Sequence, residues 1–384
     1  MYYLWLSLTV ILSVQLVFVC WNTSQLPRLP LRRSNGALRA RFPQNAAKIS
    51  VLIPARNEED NLPACLTSVL GCQAGDLELE VIVLDDRSTD ATYKLAQAAA
   101  ERDSRVRVIR GARRPPGWMG KSYACHQLAQ EANGIWWLFL DADVRLRPNA
   151  LQAVMAEADV QGRGLITGFP RQETGTWLEK LAVPMMALVI ACHLPIRMVR
   201  QSGDPRFVAA HGAFMCIHRD SYAASGGHAG IASSLLDDMM LARRVKEAGD
   251  PVLLCGIHEV ADMRMYRNAE QVWNGYKKNI YEGVSRNGFL LGSILTGYML
   301  GYVLPAVVLI LALFLGWWET AGLAAITTAL GMVIKAVSDG RSGRPIWGGA
   351  LMPASAAVFI AIAAASWRSG NGGKGYIWKG RHYS

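Results

Sequence analysis

The stretch that decides the fold is residues 48–90, which read KISVLIPARNEEDNLPACLTSVLGCQAGDLELEVIVLDDRSTD. Two runs rich in β-branched residues, at 49–54 and 79–84, predict strands, and the apolar spacing at 60–70 predicts a helix between them. Strand, helix and strand at this spacing predict a parallel strand pair joined by a right-handed crossover.

The same alternation continues along the chain. Further strands are predicted at 106–109, 135–140 and 165–167, and further helices at 89–102 and 122–130. Residues 48–262 are therefore predicted to form an α/β domain with a Rossmann-like, mostly parallel sheet. Because ligands bind beyond the carboxyl ends of the strands in such sheets, the loops after the strands are the candidate site.

Those loops carry acidic, basic and glycine residues. A single Asp, Ser or Thr at a strand end is often a helix N-cap, but four such loops at one sheet edge are harder to explain as caps. A cluster of carboxylates needs a cation, and oxygen ligands of this kind suit Mg²⁺ or Mn²⁺ that bridges to substrate phosphates. The loop residues selected are Pro54, Ala55, Arg56, Glu58, Asp85, Asp86, Lys121, Asp141 and Asp143.

Two further motifs each have more than one interpretation. Gly120-Lys121-Ser122 is similar to the end of a phosphate-binding P-loop, but Pro115 stands where that loop requires its first glycine, which argues against it. Asp237 and Asp238 begin a stretch with helical spacing. Acids at that position either interact with the helix N-terminus or supply a general base, and the spacing alone leaves both open.

Composition indicates a membrane protein. Of 384 residues, 51% are hydrophobic and only 18% are charged, which excludes a disordered chain. Residues 1–21 carry no charge and are long enough to span a bilayer, and the basic stretch that follows them places the next domain in the cytoplasm. The scattered cysteines, with no C-x-x-C pair, indicate a reducing compartment rather than a disulfide or zinc framework.

The C-terminal third contains three apolar runs, which begin at 289, 320 and 345. If all three span, the basic tail emerges on the outer side, against the positive-inside rule. One run is then re-entrant or a hairpin, and the glycines at 292, 297 and 301 make the first run the candidate. The predicted organisation is an anchor at 1–21, a basic linker at 22–47, the α/β domain at 48–262, an interfacial amphipathic segment at 263–288, a transmembrane region at 289–367 and a basic tail at 368–384.

With these motifs in order, the chain resembles family-2 glycosyltransferases of the GT-A fold. In this chain IPARNEE, VLDDRSTD, DAD and DDMML occur in the same order as in the family, over about residues 48–248. The loop at 118–125, the segment at 222–228 and the tail at 378–384 are similar to carotenoid glycosyltransferases that act on diaponeurosporenoate. The hopanoid-associated branch is similar too.

The resemblance implies a role for each matching residue. Pro54, Ala55, Arg56 and Glu58 would line the base and ribose, with Asp86 on the base or ribose, Lys121 near the nucleotide and Asp141 on the ribose side. Asp143 would bind the metal that bridges the diphosphate, and Asp238 would deprotonate the acceptor. Because the carotenoid enzymes keep an acid at the position of Asp237, which of the two carboxylates is the base stays open.

The sequence therefore predicts an inverting, metal-dependent transferase. It would move one hexose, from UDP-glucose or a similar nucleoside-diphosphate sugar, to a membrane lipid, with a carotenoid as first acceptor. A hopanoid, polyprenyl-phosphate or glycerolipid acceptor is the alternative, and a nucleotide-binding membrane protein without chemistry is a second class. No nucleic-acid partner is expected, because the uninterrupted basic clusters flank membrane segments.

Overall fold

The computed structural model describes residues 2–29, 48–73, 75, 77–371, 376–378 and 381–383. Most of the predicted basic linker, residues 30–47, lies outside these ranges. The chain divides into two compact units. The α/β unit comprises Leu26–Arg171 and Arg197–Arg264, and the helical unit comprises Met1–Gln25, Gln172–Ile196 and Met265–Ser384.

The helices and strands have the following bounds. The helices are α1 Tyr2–Ser24, α2 Leu62–Leu70, α3 Thr92–Arg102, α4 Gly120–Glu131, α5 Ala150–Gln161, α6 Trp177–Ala182, α7 Pro184–His193, α8 Ile196–Gln201, α9 Arg219–Ala224, α10 Asp237–Glu247, α11 Ala269–Gly283, α12 Gly288–Tyr298, α13 Leu304–Leu315, α14 Trp318–Arg341 and α15 Met352–Asn371. The strands are β1 Lys48–Ala55, β2 Glu78–Asp85, β3 Val106–Arg110, β4 Trp136–Leu140, β5 Val144–Leu146, β6 Leu165–Phe169, β7 Arg171–Gln172, β8 Phe214–His218, β9 Val252–Gly256, β10 Ala261–Met263, β11 Tyr376–Trp378 and β12 Arg381–Tyr383. Short 3₁₀ helices lie at Ala229–Ile231 and Ile346–Leu351, and a π-helical turn lies at Met299–Val303.

The main sheet of the α/β unit has the strand order β3-β2-β1-β4-β8-β6-β9. Strand β1 pairs in parallel with β2 on one side and with β4 on the other. The order in which the strands are added to the sheet therefore reverses direction at β1. A reversal of this kind opens a ligand crevice at the carboxyl ends of the strands. Both faces of the central strands are covered, and Val51, Leu138 and Ile166 in the core are fully buried.

Strand β8 is the main departure from the predicted sheet. It was not among the predicted strands, and it runs antiparallel to both β4 and β6, whereas the predicted strands up to residue 167 are parallel to one another. Because β8 is reversed, its first residue, Phe214, pairs with Leu140 at the carboxyl end of β4. The segment just before β8 therefore arrives at the same edge as the loops after β1, β2 and β4. This reversal makes the fold a GT-A-like mixed sheet with helices on its faces.

The helical unit contains the apolar helices. Among the described residues, four helical stretches are long and apolar enough to cross a membrane: Tyr3–Ser24, Gly288–Leu315, Trp318–Arg341 and Ile346–Gly370. The predicted hairpin in the first C-terminal run is wrong, because α12, the π-helical turn and α13 follow one another without a break. The glycines at 292 and 297 both lie inside α12 and have open space where a Cβ would be, so neither position forms a turn.

Polar side chains fix contacts inside the helical unit. Asn22 is fully buried and donates from Nδ2 to the carbonyls of Ala191 at 2.9 Å and Leu194 at 2.7 Å. Its Oδ1 accepts from the backbone N–H of Ile196 at 2.8 Å, so all its hydrogen-bonding groups join the end of α1 to the end of α7. Asn22 would otherwise be costly to bury, and the three bonds offset that cost.

Candidate active site

The loops after β1 and β2 are held together by backbone and side-chain hydrogen bonds. Nη1 of Arg56 donates to the carbonyls of Asp86 at 2.6 Å and Arg87 at 2.9 Å. The N–H of Asp86 donates to the carbonyl of Ala55 at 2.8 Å. Arg56 therefore shapes the floor that the resemblance assigns to the nucleotide, and the side chain of Asp86 is buried within it.

Residues Pro54 and Glu58 flank this floor. Pro54 is half-buried at the end of β1, in register with Leu84 of β2. The N–H of Glu58 donates to the hydroxyl of Thr92 at 2.8 Å, which ties the first loop to the start of α3. The structure thus brings the first two predicted loops into one surface.

Lys121 and Asp141 form an ion pair between α4 and the end of β4. Nζ of Lys121 lies 2.6 Å from Oδ1 and 2.8 Å from Oδ2 of Asp141, and it also donates to the carbonyl of Gly212 at 3.1 Å. Burial by itself would lower the pKa of Lys121, but the charges of Asp141 and Asp237 outweigh it and raise that pKa. The ammonium therefore stays charged and joins three elements at the sheet edge.

Asp238, in the first turn of α10, is held by two backbone donors. Its Oδ2 accepts from the N–H of Gly212 at 2.9 Å, and its Oδ1 accepts from the N–H of Met239 at 2.7 Å. Burial, and next the charge of Asp237, raise the pKa of Asp238 to about 6. A carboxyl group with a pKa near neutrality in a fixed orientation has the properties of a general base.

His211 lies in the same region and was not selected from the sequence. Burial lowers its pKa to about 4, and the charge of Asp141 opposes that shift. The imidazole is therefore neutral at physiological pH, and its ring packs edge-on against Phe169 with centroids 5.0 Å apart. The sequence pattern around this single histidine did not predict a functional role. His211 reaches this edge of the sheet only because β8 runs antiparallel to its neighbours.

The residues present are compatible with a divalent cation. Asp143 is half-buried two residues after Asp141 at the end of β4, and His211 offers a neutral imidazole. Within the described ranges, no group of three or more His, Cys, Asp or Glu side chains surrounds a common point. Mg²⁺ and Mn²⁺ bound mainly through substrate phosphates need only one or two protein ligands, so this donor set fits them.

Comparison with known proteins agrees with the fold. Residues 50–224 match the family model described as Glycosyl transferase family 2. The protein is thus a glycosyltransferase whose α/β unit is similar to family 2 of these enzymes.

Two relatives with known names are similar to this chain over more than half of its length. A 4,4'-diaponeurosporenoate glycosyltransferase from Staphylococcus haemolyticus (strain JCSC1435) is 28% identical over 276 residues, which are 71% of each chain. One from Staphylococcus aureus (strain MRSA252) is 27% identical over 242 residues, and the match spans 62% of each chain, just under two thirds of that relative.

A solved structure is similar over nearly the whole chain. It is a mannosyltransferase from Pyrobaculum calidifontis in complex with GDP-Man and Mn²⁺, with a TM-score of 0.56 and 17% sequence identity. The match covers 94% of this chain and 97% of that one. At this level of identity the similarity supports the GT-A fold.

Proposed function

We propose that this protein transfers a single hexose, with inversion, from a nucleoside-diphosphate sugar to a membrane lipid. The observation that carries the proposal is Asp238. Its carboxylate is fixed by the N–H of Gly212, has a pKa of about 6, and is joined through the Gly212 peptide to the Lys121–Asp141 pair. A structural acid at a helix N-terminus needs no such connection to the other predicted site residues.

The proposed reaction is a single displacement. The acceptor oxygen attacks the anomeric carbon of the sugar, and the bond from that carbon to the diphosphate oxygen breaks. Where the acceptor is a hydroxyl or a carboxyl group in its acid form, Asp238 takes its proton. One base and one displacement invert the anomeric configuration. Burial, with the charge of Asp237 in addition, keeps the pKa of Asp238 high enough for this proton transfer at near-neutral pH.

Donor binding is proposed to use the loops after β1, β2 and β4. Arg56, with Pro54, Ala55 and Glu58, would form the base and ribose floor; Asp86, Lys121 and Asp141 complete the predicted donor set. Asp143 would hold Mg²⁺ or Mn²⁺, which when bound would neutralise charge on the departing nucleoside diphosphate. The GDP-Man and Mn²⁺ in the similar mannosyltransferase support a nucleotide sugar and a divalent cation, and UDP-glucose is the donor we propose.

The proposed acceptor is a carotenoid carboxylate or hydroxyl. The names of the two staphylococcal relatives and the apolar helical unit both support a lipid acceptor. The protein is proposed to be a multi-pass protein of the cell membrane, with its α/β unit in the cytoplasm where nucleotide sugars are made.

The test is lipid extraction and mass spectrometry of a 4,4'-diaponeurosporenoate-producing host with and without this chain. A new hexosyl carotenoid that is lost in Asp143→Ala and Asp238→Asn is the expected result. Exposed Lys94, on α3, provides a matched control, because Lys94→Met should leave the product unchanged.

Other outcomes revise the proposal in defined ways. A hexose added to a hopanoid, a polyprenyl phosphate or a glycerolipid would keep the transferase and replace the acceptor. Retention of the hexosyl product in Asp238→Asn, with Asp237→Asn inactive, would move the base to Asp237. A membrane-located protein that modifies no lipid would overturn the proposal.

A further inference from the structure

The last apolar segment, residues 346–371, begins beside the end of α14. A Cβ on Gly340 would lie 3.2 Å from Cγ2 of Ile346, near the end of that helix. A Cβ on Gly349, three residues further along the segment, would lie only 2.5 Å from the carbonyl oxygen of Met332. The 3₁₀ helix at the start of the segment therefore runs back along α14, into the bundle.

The segment turns part of the way along α14. Met352, the first residue of α15, is buried, and its Cγ lies 3.8 Å from the position of a Cβ on Gly331. Gly331 and Gly340 are separated by about 14 Å along the axis at the α-helical rise. That distance is roughly half of a 30 Å hydrocarbon core.

α15 then returns towards the end from which the segment came. The rings of Phe359 and Tyr298 lie 5.4 Å apart, and Nε1 of Trp367 lies 3.3 Å from the position of a Cβ on Gly288. Rising residue numbers in α15 thus meet falling numbers in α12, so these two helices are antiparallel. The end of α15 lies beside the start of α12.

The start of α12 and the end of α14 lie at one end of the bundle. α13 and α14 pack on each other and are joined only by Gly316 and Trp317, which makes them an antiparallel hairpin. Deeper in the bundle, a Cβ on Gly331 would lie 2.9 Å from the ring of Tyr302, midway along the α12–α13 stretch. α15 therefore leaves where α14 ends and does not reach the hairpin at Trp317.

Exposed tryptophans mark the two ends in the same way. Trp347 and Trp367 are both exposed at the end where the last segment starts and finishes. Trp317 and Trp318 are exposed at the opposite end, in the α13–α14 hairpin. Tryptophan is enriched at membrane–water interfaces, and a crossing α15 would place Trp367 beside Trp318 instead.

We infer that residues 346–371 form a re-entrant hairpin that inserts into one leaflet of the bilayer and leaves on the side it entered. The chain then crosses three times, through α1, α12–α13 and α14. The C-terminal tail lies on the side on which α14 ends. α1 ends on that side too, because it packs parallel to α14: Trp5 clusters with Ala324, and Oγ1 of Thr9 lies 3.0 Å from Oγ1 of Thr327. This arrangement resolves the charge conflict in the sequence, since the basic tail joins Arg341 and Arg344 on the cytoplasmic side.

A buried ion pair supports the non-α-helical part of this hairpin. Nζ of Lys335 lies 2.5 Å from Oδ2 of Asp339, and both side chains are almost fully buried. A Cβ on Gly348 would lie 2.7 Å from the same Oδ2, so the backbone of the hairpin packs directly on the pair. Irregular backbone at membrane depth is tolerated where protein covers it, and at Gly348 and Gly349 the backbone of this segment packs against α14.

The test is labelling of single added cysteines with a membrane-impermeant maleimide, in intact and in permeabilised spheroplasts of cells that express the full chain. Ser384→Cys reports on the tail, Glu319→Cys on the start of α14 at the outer end of the bundle, and Arg113→Cys on the α/β unit, with the parent chain as background. We expect Glu319→Cys to react in intact spheroplasts, and Ser384→Cys and Arg113→Cys to react only after permeabilisation.

Labelling of Ser384→Cys in intact spheroplasts, to the level of Glu319→Cys, would show a fourth crossing and overturn the inference. Tail fusions give a second readout that needs no cysteine: green fluorescent protein should fluoresce and alkaline phosphatase should be inactive. Active phosphatase would likewise overturn the inference. Neither measurement depends on glycosyl transfer, so the topology and the proposed activity are tested separately.

Discussion

The peptide of Gly212 is hydrogen-bonded on both sides to site residues that are far apart in sequence. Its N–H donates to Oδ2 of Asp238 at 2.9 Å, and its carbonyl accepts from Nζ of Lys121 at 3.1 Å. The proposed base is therefore oriented by the backbone of the segment before β8, and that backbone is in turn held by the cation paired with Asp141.

Replacing Asp238 by Asn should lower kcat by roughly 10²- to 10⁴-fold, the contribution typical of a positioned base. The amide keeps the shape and can still accept from Gly212, so substrate binding should change little. Asp237→Asn should retain activity, because the effect of Asp237 on the site is electrostatic, through its charge on Asp238 and on Lys121. Hexose transfer by detergent-solubilised enzyme, measured over a range of donor concentrations, distinguishes the two; an inactive Asp237→Asn with an active Asp238→Asn contradicts the assignment.

The pH dependence should follow the ionisation of Asp238. Its carboxylate is the active form, so kcat/KM should rise with pH through about 6 and level off above it. In Asp237→Asn the neighbouring charge is gone, the pKa of Asp238 falls, and the rising limb should move to lower pH. A limb that does not move would show that Asp238 is not the group that titrates.

Asp238 should also cost the protein stability at neutral pH. Its pKa in the folded state, about 6, is above the ordinary value of 3.8, so the folded state binds the proton more tightly and stability falls as pH rises through this window. Asp238→Asn should therefore raise the midpoint of thermal unfolding at pH 7.5 and have little effect at pH 4. An equal shift at both pH values would mean that the gain comes from packing rather than charge.

Lys121→Met should lower activity more than it lowers stability. Without the ammonium, Asp141 loses its partner and the Gly212 carbonyl loses a donor, so the orientation of Asp238 is no longer fixed. A 10- to 100-fold fall in kcat is expected, about the effect of misplacing a catalytic group. Lys94→Met on α3 is the exposed control, and an equal loss in both variants would rule out a specific role for Lys121.

Two adjacent glycines, Gly226 and Gly227, provide a matched pair of variants for a test of stability. Gly226 and Gly227 both have positive φ, at 76° and 52°, so alanine strains the backbone at either position. Only at Gly227 would the new Cβ meet the ring of Tyr222, at 2.4 Å; at Gly226 the nearest atom is 3.7 Å away. Gly227→Ala should therefore destabilise the protein by about 1–3 kcal/mol more than Gly226→Ala in thermal or denaturant unfolding.

Local patterns were sufficient to predict the first half of the α/β unit. The strands at 49–54, 79–84 and 135–140 were each found within two residues of their predicted ends, because a buried parallel strand needs a continuous apolar run. Their carboxyl ends then meet at one edge as a matter of sheet geometry. That is why Arg56, Asp86 and Asp141 could be selected from the sequence before their contacts were known.

What only the tertiary structure decided was direction. An apolar run does not predict whether its strand or helix is parallel or antiparallel to its neighbours, because hydropathy depends on composition and length alone. The antiparallel course of β8 brought His211 and Gly212 to the site, and the return of α15 along α12 is the basis of the proposed re-entrant hairpin. In both cases the direction is set by long-range packing, β8 between β4 and β6 and the last segment against α14, between residues that no local pattern connects.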